Sequence, residues 1–523
     1  MKNYNPYLQQ INSVLPRLLA LFDSDQTNQT YGQGDRYFWA WKLKDFGNGT
    51  YQGAAHGLAR LVVNDLLPQE VSNDSILRRI DSMFLGAERL RDKNGSMSEA
   101  FPYESSFCVT ALVTFDLLSA IELLRTRIDE KQRVKYLGIV KPMIDFLRKT
   151  DEKHAFISNH LATAAAALYK WSFLTDDKDI VRAEVLIKRI LDSQSTEGWF
   201  KEYEGADPGY QSLATYYLAD VHRMHPDLGL LAPLRRSVQF LWYFAHPDGS
   251  FGGSYGSRNT RFYCPAGIEF LSNSIPEANV LAVFLRNSIV NHATVTLDAL
   301  DESNLVPFFN AYCWAAEIYN NGKSKENASS LLSLPCIDNV SWCREFRQAG
   351  IIIDKGLAHY TIVSWYKGGV CYHFNRSLNV VSINPGVLAI AKNKKYYSTQ
   401  IYQLSNQICI EKNKVIIVAP LSALDKRLPG SFSFLLLRLA CVTVMRNLFL
   451  SNLVKKALVK FLITGKRASV VCNCRTINFG PDIKIIDKWQ GNDGGFERVE
   501  ARPSFCAIHM ASQGYWQKQD DTE

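Results

Sequence analysis

The sequence predicts a multidomain α and β protein in which an N-terminal (α/α) toroid of five to six helix pairs is followed by an antiparallel β-sandwich. Three observations predict this fold class. Apolar residues recur at helical spacing over the first 320 residues, a short glycine-led phrase recurs about every 50 residues, and β-branched runs begin near residue 340. We therefore place the toroid at 1–325 and the sandwich at 340–523, with a polar linker at 320–327.

The helical part shows the repeat most clearly. Helical periodicity marks 76–90, 108–124 and 183–191. The recurring phrase is a glycine, a small or aromatic residue and an apolar residue: Gly49-Thr50-Tyr51, Gly95-Ser96-Met97, Gly198-Trp199-Phe200 and Gly249-Ser250-Phe251. A period near 50 residues accommodates two helices and two turns. An open solenoid and a closed toroid both fit this period, and tight glycine turns ahead of the inner helices favour the toroid.

The part after residue 340 has the short alternating runs of antiparallel strands. Turn signals such as Gly368-Gly369 and Asn384-Pro385-Gly386 separate the runs. Strands are predicted at 351–353, 359–365, 370–374, 379–383, 407–410, 415–418, 469–473, 483–486 and 505–509. The stretch 432–464 is predicted as helix instead.

The composition is that of a folded globular protein. Of 523 residues, 47% are hydrophobic and 21% are charged, which excludes a disordered or collagen-like chain. There is no run of about 18 uncharged apolar residues, so no transmembrane helix is expected. The polar N-terminus lacks the pattern of a signal peptide, and the eleven cysteines include no CxxC pair. We expect a cytoplasmic protein with reduced thiols.

The formal net charge of +8 comes from one segment. Residues 425–467 contain nine Lys or Arg and one Asp, whereas the rest of the chain has 50 basic and 50 acidic residues. This concentration argues against a nucleic-acid binder, whose charge is spread over a broad face. Apolar residues alternate with the basic ones, which predicts a basic amphipathic helical insertion at 432–467. Such a helix either binds an anionic membrane surface, as in a peripheral protein at the inner face of the membrane, or packs on the sandwich with its basic face in solvent.

Three clusters beside the glycine turns carry candidate catalytic residues. Asn159 and His160 open an alanine-rich helix, where unpaired N–H groups favour an anion. Tyr210 lies 51 residues after Asn159, in a turn rich in glycine, proline and acid, and Arg258 lies in a glycine-rich loop from which it could clamp a carboxylate. The alternatives are purely structural: a helix cap, a buried loop tyrosine and a plain turn. The spacing predicts that all four residues converge at one mouth of the toroid and bind an acidic sugar.

Further residues near these turns are predicted to contact substrate. Tryptophans suit stacking on sugar rings, although packing within the fold is their commoner role. The predicted contacts are Trp39, Trp41, Glu104, Trp199, Asp207, Tyr255 and Asn259.

An Asn-His pair opening an alanine-rich helix, with a Gly-Tyr pair one repeat later, resembles the heparinase II/III-like and alginate-lyase-like polysaccharide lyases. The resemblance covers most of the chain in architecture and Asn159, His160 and Tyr210 in motif. It implies a lyase that cleaves an acidic polysaccharide by β-elimination next to a uronic acid. Asn159 would neutralise the uronate carboxylate, Tyr210 would act as base or acid with His160 assisting, and Arg258 would clamp the anion.

The chemistry of such a reaction suits these residue types. Removing a proton next to a carboxylate builds negative charge, which hydrogen-bond donors and a cation stabilise. A tyrosine beside a cation is expected to have a lowered pKa and so to act as base. No metal or cofactor is expected, since His359, His373 and His509 stand singly in the sequence.

Two other functions stay open at this point. A glycoside hydrolase on the same toroid would use paired carboxylates, for which Glu99, Glu104, Asp207 and Glu269 are candidates. A non-catalytic glycan-binding or scaffold protein of surface-polysaccharide assembly would bind the same ligand without turnover.

Overall fold

The computed structural model describes residues 5–152, 155–322, 332–424, 428, 430–459, 468–491 and 495–516. Within these residues the N-terminal part is helical and the C-terminal part is mostly strand. The linker residues 323–327 fall outside the described ranges. The N-terminal helices are α1 (Pro6–Ala20), α2 (Arg36–Trp39), α3 (Ala54–Val63), α4 (Asn73–Leu90), α5 (Phe107–Leu124), α6 (Glu130–Lys149), α7 (Ser158–Leu174), α8 (Val181–Asp192), α9 (Pro208–Met224), α10 (Leu231–Leu241), α11 (Pro265–Leu271), α12 (Pro276–Val290) and α13 (Glu302–Asn320).

Six of these helices form a closed inner ring. Helices α3, α5, α7, α9, α11 and α13 each pack on the next, and α13 packs back on α3. The outer layer consists of α4, α6, α8, α10, α12 and α1, and α1 is the outer partner of α13. The predicted fold class is therefore confirmed as an (α/α) toroid of six helix pairs, and the open solenoid is excluded.

The two layers differ as their sequences do. The inner helices α5 and α7 are buried along almost their whole length, whereas the outer helices α8 and α10 bury one apolar stripe each. Helix α5 has the length and apolar composition of a membrane-spanning helix, but most of it is buried inside the ring. Its place at the centre of the toroid accounts for that composition.

The glycine phrase marks the turn that leads into an inner helix. Gly95 and Gly198 adopt φ values of 92° and 103°, in the left-handed region that favours glycine. A Cβ atom at Gly198 would lie 2.2 Å from the carbonyl oxygen of Arg236, on the outer helix α10. The chain therefore needs glycine there to pass close beside the outer layer, which explains why the phrase recurs with the repeat.

The C-terminal part forms two antiparallel sheets. Their strands are β1 (Trp342–Phe346), β2 (Ile351–Lys355), β3 (His359–Ser364), β4 (Val370–Asn375), β5 (Val380–Asn384), β6 (Leu388–Ala391), β7 (Tyr396–Ser398), β8 (Gln407–Glu411), β9 (Lys414–Ala423), β10 (Ala468–Asn478), β11 (Lys484–Gln490) and β12 (Phe496–Val499). The first sheet has the order β1-β2-β3-β4-β5. The second has the order β11-β10-β9-β7-β6-β12, with β8 paired to β9.

Eight of the nine predicted strands are present, and one prediction is wrong. Residues 505–509 form a loop, in which the Ala507 N–H donates to the Gln400 side chain at 2.6 Å and Cys506 Sγ contacts the Ile508 carbonyl. The loop is held by polar contacts to Gln400 and to Asn259 instead of by strand pairing. Four short strands, β1, β6, β7 and β12, were not predicted; β1, β7 and β12 carry charged or exposed residues, and β6 has only four residues.

The first sheet lies between the toroid and the second sheet. Every residue of β3 and β4 is buried. On one face Tyr360 Oη donates to the Tyr243 carbonyl of the toroid at 2.7 Å, and on the other Val363 packs with Ile417 and Ile477 of the second sheet. The hydrophobic core of the toroid therefore continues into the first sheet.

The basic insertion separates β9 from β10, which pair with each other. It contains two helices, α14 (Ser431–Val442) and α15 (Leu448–Val459), joined by a 3₁₀ turn at Val444–Arg446. The described part of the predicted helical insertion at 432–467 is helical, as two helices instead of one continuous helix, and 460–467 lies outside the described residues. Arg438 forms an ion pair with Asp45 at 3.0 Å, so the insertion contacts the toroid.

Candidate functional site

A cavity lies at the mouth of the toroid where the inner helices begin. It has a volume of about 550 Å³, and each of the six inner helices contributes from its first turn or the loop just before it. One such residue from each is Thr50, Phe107, Asn159, Tyr210, Phe262 and Asn304. Because the N-terminal ends of helices carry partial positive charge, a ring of six of them favours an anionic ligand.

The four candidate catalytic residues all line this cavity. Asn159 and His160 are in the first turn of α7, Tyr210 is in the first turn of α9, and Arg258 is in the loop before α11. The repeat brings them together because each inner helix starts at the same mouth. Asn159, Tyr210 and Arg258 are buried, with access from the cavity side.

A buried carboxylate, Glu202, connects two of them and was missed by the sequence analysis. Asn159 donates to Glu202 through its backbone N–H at 2.9 Å and through Nδ2 at 2.9 and 3.0 Å. Arg258 Nη1 approaches Glu202 Oε2 at 3.4 Å. Burial raises the pKa of Glu202 to about 7, against the lowering effect of Arg258 and Asn159. In the sequence, Glu202 is recognisable only as one of the acidic residues between the glycine phrase at Gly198 and the start of α9.

The guanidinium of Arg258 is held between two aromatic rings. Its Cζ lies 3.8 Å from the ring centre of Tyr210 and 4.8 Å from that of Tyr203. Such stacking suits the planar, weakly hydrated guanidinium. The two rings and Glu202 fix the orientation of a cation that is almost completely buried.

Tyr210 differs from the expectation of a lowered pKa. Burial raises the pKa of Tyr210 to about 12, and the nearby Arg258 charge lowers it only in part. The cation stacks on the face of the ring, so its effect does not outweigh the loss of water around the phenol. Tyr210 therefore carries its proton at neutral pH and is suited to donate it.

His160 forms a pair with a carboxylate at the cavity wall. Its Nδ1 lies 2.7 Å from Glu152 Oε2, and both residues line the cavity. A carboxylate that accepts from Nδ1–H fixes the tautomer in which Nε2 is the basic nitrogen. The pair is thus equipped to accept a proton.

Two acidic residues, Glu99 and Glu104, line another part of the cavity. Glu104 accepts the backbone N–H groups of Glu99 and Ala100, each at 2.8 Å. Partial desolvation at the cavity wall, followed by repulsion from Glu104, raises the pKa of Glu99 to about 7, although the residue as a whole is exposed. The two carboxyl groups therefore differ in environment, as an acid and a base in one site do.

Two acidic residues singled out in the sequence, Asp207 and Glu269, serve the framework of the fold. Asp207 is fully buried, caps α9 by accepting the Tyr210 N–H at 3.2 Å, and accepts the Arg258 N–H at 3.0 Å. It thereby ties the loop that carries Arg258 to the start of α9. Glu269, a candidate carboxylate of the hydrolase alternative, is buried and bound bidentately by Arg286 at 2.7 and 2.8 Å.

The other predicted contacts lie outside the cavity lining, except Glu104. Trp199 donates to Glu197 at 2.9 Å, Tyr255 bonds the buried His246 at 2.8 Å, and Trp39 donates to the Leu21 carbonyl at 2.8 Å. Trp41 is exposed on the surface. The hydrogen bonds of Trp39, Trp199 and Tyr255 hold these side chains within the fold, away from the cavity.

Asn259 follows Arg258 in the chain and lies at the boundary between the toroid and the sandwich. Its Oδ1 accepts from the buried Lys367, and its Nδ2 donates to the Ile508 carbonyl at 3.2 Å. Burial lowers the pKa of Lys367 to about 8. Asn259 therefore anchors the site loop to the second domain.

Within the described residues there is no group of three or more His, Cys, Asp or Glu placed to hold a metal ion. His359 and His373 do lie side by side, with ring centres 6.1 Å apart. Their nitrogens contact Asp354, Thr361 and the Pro481 carbonyl, so the pair belongs to the sheet framework.

No family model matches the chain, and no curated protein matches it in sequence. Solved structures similar to it include a xanthan lyase from Paenibacillus, with 10% identity over 80% of this chain and 46% of that chain and a TM-score of 0.47. Heparinase III has 9% identity over 94% of this chain and 78% of that chain, with a TM-score of 0.44. A cellobiose 2-epimerase from Bacillus thermoamylovorans has 10% identity over 61% of this chain and 100% of that chain, with a TM-score of 0.43. The chain spans less than half the length of the xanthan lyase.

Proposed function

We propose that the protein is a carbohydrate-active enzyme that cleaves an acidic polysaccharide by β-elimination next to a uronic acid. The observation that carries this proposal is the convergence of Asn159, His160, Tyr210 and Arg258 on one cavity at the helix N-termini. This set supplies a carboxylate-binding group, a base and an acid within one sugar-binding space.

The carboxylate of the sugar would bind beside Asn159 and Arg258. Both are nearly buried, so their hydrogen bonds to a developing anion act in a medium of low dielectric. Glu202 already accepts from both residues. A protonated Glu202 leaves the net positive charge of Arg258 to the substrate, whereas an ionised Glu202 neutralises it.

The two proton transfers divide between His160 and Tyr210. His160, oriented by Glu152, takes the proton from the carbon that bears the carboxylate. The electrons of that C–H bond form a double bond to the neighbouring carbon, whose bond to the glycosidic oxygen breaks. Tyr210, with its pKa of about 12, gives its proton to the leaving oxygen. The high pKa favours the acid role over the base role for Tyr210.

Incubation of the purified protein with a panel of uronate-containing and neutral polysaccharides tests this proposal. The expected product has an unsaturated uronate at its new end, which absorbs in the ultraviolet, and neutral polysaccharides give none. Shortened uronate chains with no gain in ultraviolet absorbance would exclude β-elimination.

A glycoside hydrolase is the second candidate, and the Glu99–Glu104 pair is the observation that favours it. Glu99 with a pKa of about 7 would act as the acid, and Glu104 as its partner carboxylate. Loss of turnover in Glu104→Gln, with saturated products in the wild type, would support this candidate. If the intact protein binds an acidic glycan but never cleaves it, the non-catalytic alternative holds.

A further inference from the structure

The insertion exposes an unusual amount of apolar surface. Most of the long side chains of α14 face solvent, and Phe432 and Leu435 are 71% and 65% exposed. The exposed apolar residues of α14 are Phe432, Phe434, Leu435, Leu436, Leu439 and Val442. Soluble monomers rarely leave so dense an apolar patch without a partner, so the surface of α14 points to an interaction.

The opposite side of the insertion is anchored to the toroid. Cys441 and Met445 are buried. Arg438 stacks on Phe46 at 5.4 Å besides its ion pair with Asp45, and Arg446 stacks on Tyr103 at 4.7 Å. One side of the insertion is therefore bound to the toroid, and the apolar side chains of α14 lie on the side that faces solvent.

The insertion contacts the toroid at the rim of the candidate site. Phe449 and Asn452 of α15 are among the residues that line the mouth cavity, together with Asn159 and Arg258. Whatever covers the exposed side of α14 is therefore brought close to the opening of the site.

We propose that α14 docks on an anionic membrane and that the substrate is an acidic glycan presented at that membrane. The second half of this inference rests on the proposed function. Helix α14 has 12 residues, about 18 Å of helix, which is too short to cross a hydrocarbon layer of about 30 Å. A short apolar helix with flanking basic residues lies in the interface instead.

The charge of the segment selects the membrane over a second copy of the chain. Residues 425–467 contain nine Lys or Arg and one Asp, while the rest of the chain sums to zero; Arg438 and Arg446 contact the toroid, which leaves seven basic residues of the segment to attract an anion. Two such segments brought face to face would repel each other, whereas an anionic leaflet attracts each Lys or Arg by roughly 1 kcal/mol.

Co-sedimentation of the full-length protein with vesicles tests the docking. The vesicles contain phosphatidylcholine alone or phosphatidylcholine with phosphatidylserine, at low and high salt. We expect binding to the anionic vesicles that weakens as salt rises. The double variant Phe432→Asp and Leu435→Asp should bind at least about 100-fold more weakly, since each buried apolar side chain is worth about tenfold or more.

A matched control is Val181→Asp, because Val181 is 66% exposed on the outer helix α8. This variant should bind vesicles like the wild type. Equal binding to neutral and anionic vesicles, no binding to either, or a dimer that the double variant abolishes would each overturn the membrane docking.

The substrate half is tested with one acidic oligosaccharide in two forms, free and coupled to a vesicle lipid. The wild type should turn over the coupled form faster, and the double variant should lose that preference while it keeps turnover of the free form. Equal rates on both forms in the wild type would overturn the substrate class. If neither form is cleaved, the proposed function fails, whereas the docking still stands or falls on the vesicle data.

Discussion

The chemistry of the cavity depends on which of its side chains carry protons at neutral pH. Burial keeps Tyr210 protonated and moves the pKa of Glu202 to about 7, close to physiological pH. The site thus combines a fixed acid, Tyr210, with a carboxylate whose charge changes near neutrality. Both properties follow from desolvation, and both lead to a prediction.

Replacing Tyr210 by Phe tests the acid role. The variant keeps the ring that stacks on Arg258 and loses only the proton donor. Turnover should fall by roughly 100-fold or more, while KM changes little. The control is Tyr203→Phe, which removes the hydroxyl from the other ring that stacks on Arg258 and should retain turnover. Full activity in Tyr210→Phe would remove Tyr210 from the mechanism.

Removing the Asn159 amide tests the carboxylate site. Asn159→Ala should raise the barrier by about 3 kcal/mol, the effect of losing one oxyanion donor. The loss should appear in kcat/KM for uronate substrates. A change confined to thermal stability would assign Asn159 to a structural role alone, as the donor that holds Glu202.

Glu202 gives the site a predicted pH dependence. Ionised Glu202 competes for Arg258 and Asn159, so KM for an acidic substrate should rise as pH rises through about 7. Glu202→Gln stays neutral and should abolish that rise. The raised pKa also means that the folded state binds this proton more tightly than the unfolded state. Its stabilising contribution is therefore present below the unfolded pKa and is lost as pH rises through about 7.

Thermal denaturation provides the second measurement on Glu202. The Tm of Glu202→Gln relative to that of the wild type should rise from the ordinary carboxyl pKa up to about pH 7 and stay level above it, because the folded wild type gives up its extra proton over that range. A KM that rises equally in both proteins would show that another group causes the pH dependence.

The residues Asn159, Tyr210 and Arg258 could be found in the sequence because the period of the repeat places them at one mouth. Glu202 and Glu152 could not, since each acts through a hydrogen bond to a residue far along the chain or across a turn. The pKa of Tyr210 was predicted in the wrong direction for a related reason. The sequence shows a cation near Tyr210 but does not show how deeply the phenol is buried.

At the scale of elements, buried polar contacts hold the toroid closed. Glu269 of α11 is bound by Arg286 of α12 and accepts from Tyr7 of α1 at 2.5 Å. These three helices belong to the end and the beginning of the ring. The acid that the hydrolase alternative offered as catalytic thus serves to join the first helix to the last repeats.

Glu269→Ala should therefore destabilise the fold without altering the chemistry. The change leaves Arg286 buried without its partner, an effect of about 3–5 kcal/mol in the free energy of unfolding. Denaturant unfolding should show this loss, and at low temperature the products should match those of the wild type. Altered products with unchanged stability would return Glu269 to the list of catalytic candidates.

Elements with a strong local pattern were predictable, and those determined by distant contacts were not. The central strands β3 and β4 are rich in β-branched and aromatic residues and are bounded by turn signals, so they were predicted almost to the residue. The edge strand β1 has exposed and charged residues and exists because β2 pairs with it. In the insertion, the break between α14 and α15 occurs where Met445 is buried, which helical spacing alone does not reveal.

At the scale of the whole molecule, the toroid shares its hydrophobic core with the first sheet of the sandwich, and the second sheet packs through two separate clusters. Phe346 of β1 lies among Phe240, Tyr243 and Phe244 of the toroid, with ring centres 5.4, 5.3 and 5.9 Å away. The core of the toroid includes the inward face of the first sheet. The change of sequence pattern near residue 340 predicts two separate domains, because such a change marks where elements differ but not whether they pack together.

A shared core predicts that the two parts unfold together. Phe346→Ala removes an almost fully buried ring and should lower the free energy of unfolding by about 3–5 kcal/mol. Since the ring contacts both parts, calorimetry should show one transition that moves as a whole to lower temperature. Hydrogen exchange should lose protection in α10 and in β2 and β3 to the same extent.

The matched control for this change is Val380→Ala, at an exposed position of the edge strand β5. It removes a similar kind of side chain without opening the boundary between the toroid and the first sheet, so its effect should stay within about 0.5 kcal/mol. Two calorimetric transitions, of which Phe346→Ala moves only one, would contradict a shared core. Such a result would mean that the sheet and the toroid are stable apart, and that the loop carrying Arg258 relies on the toroid alone for its position.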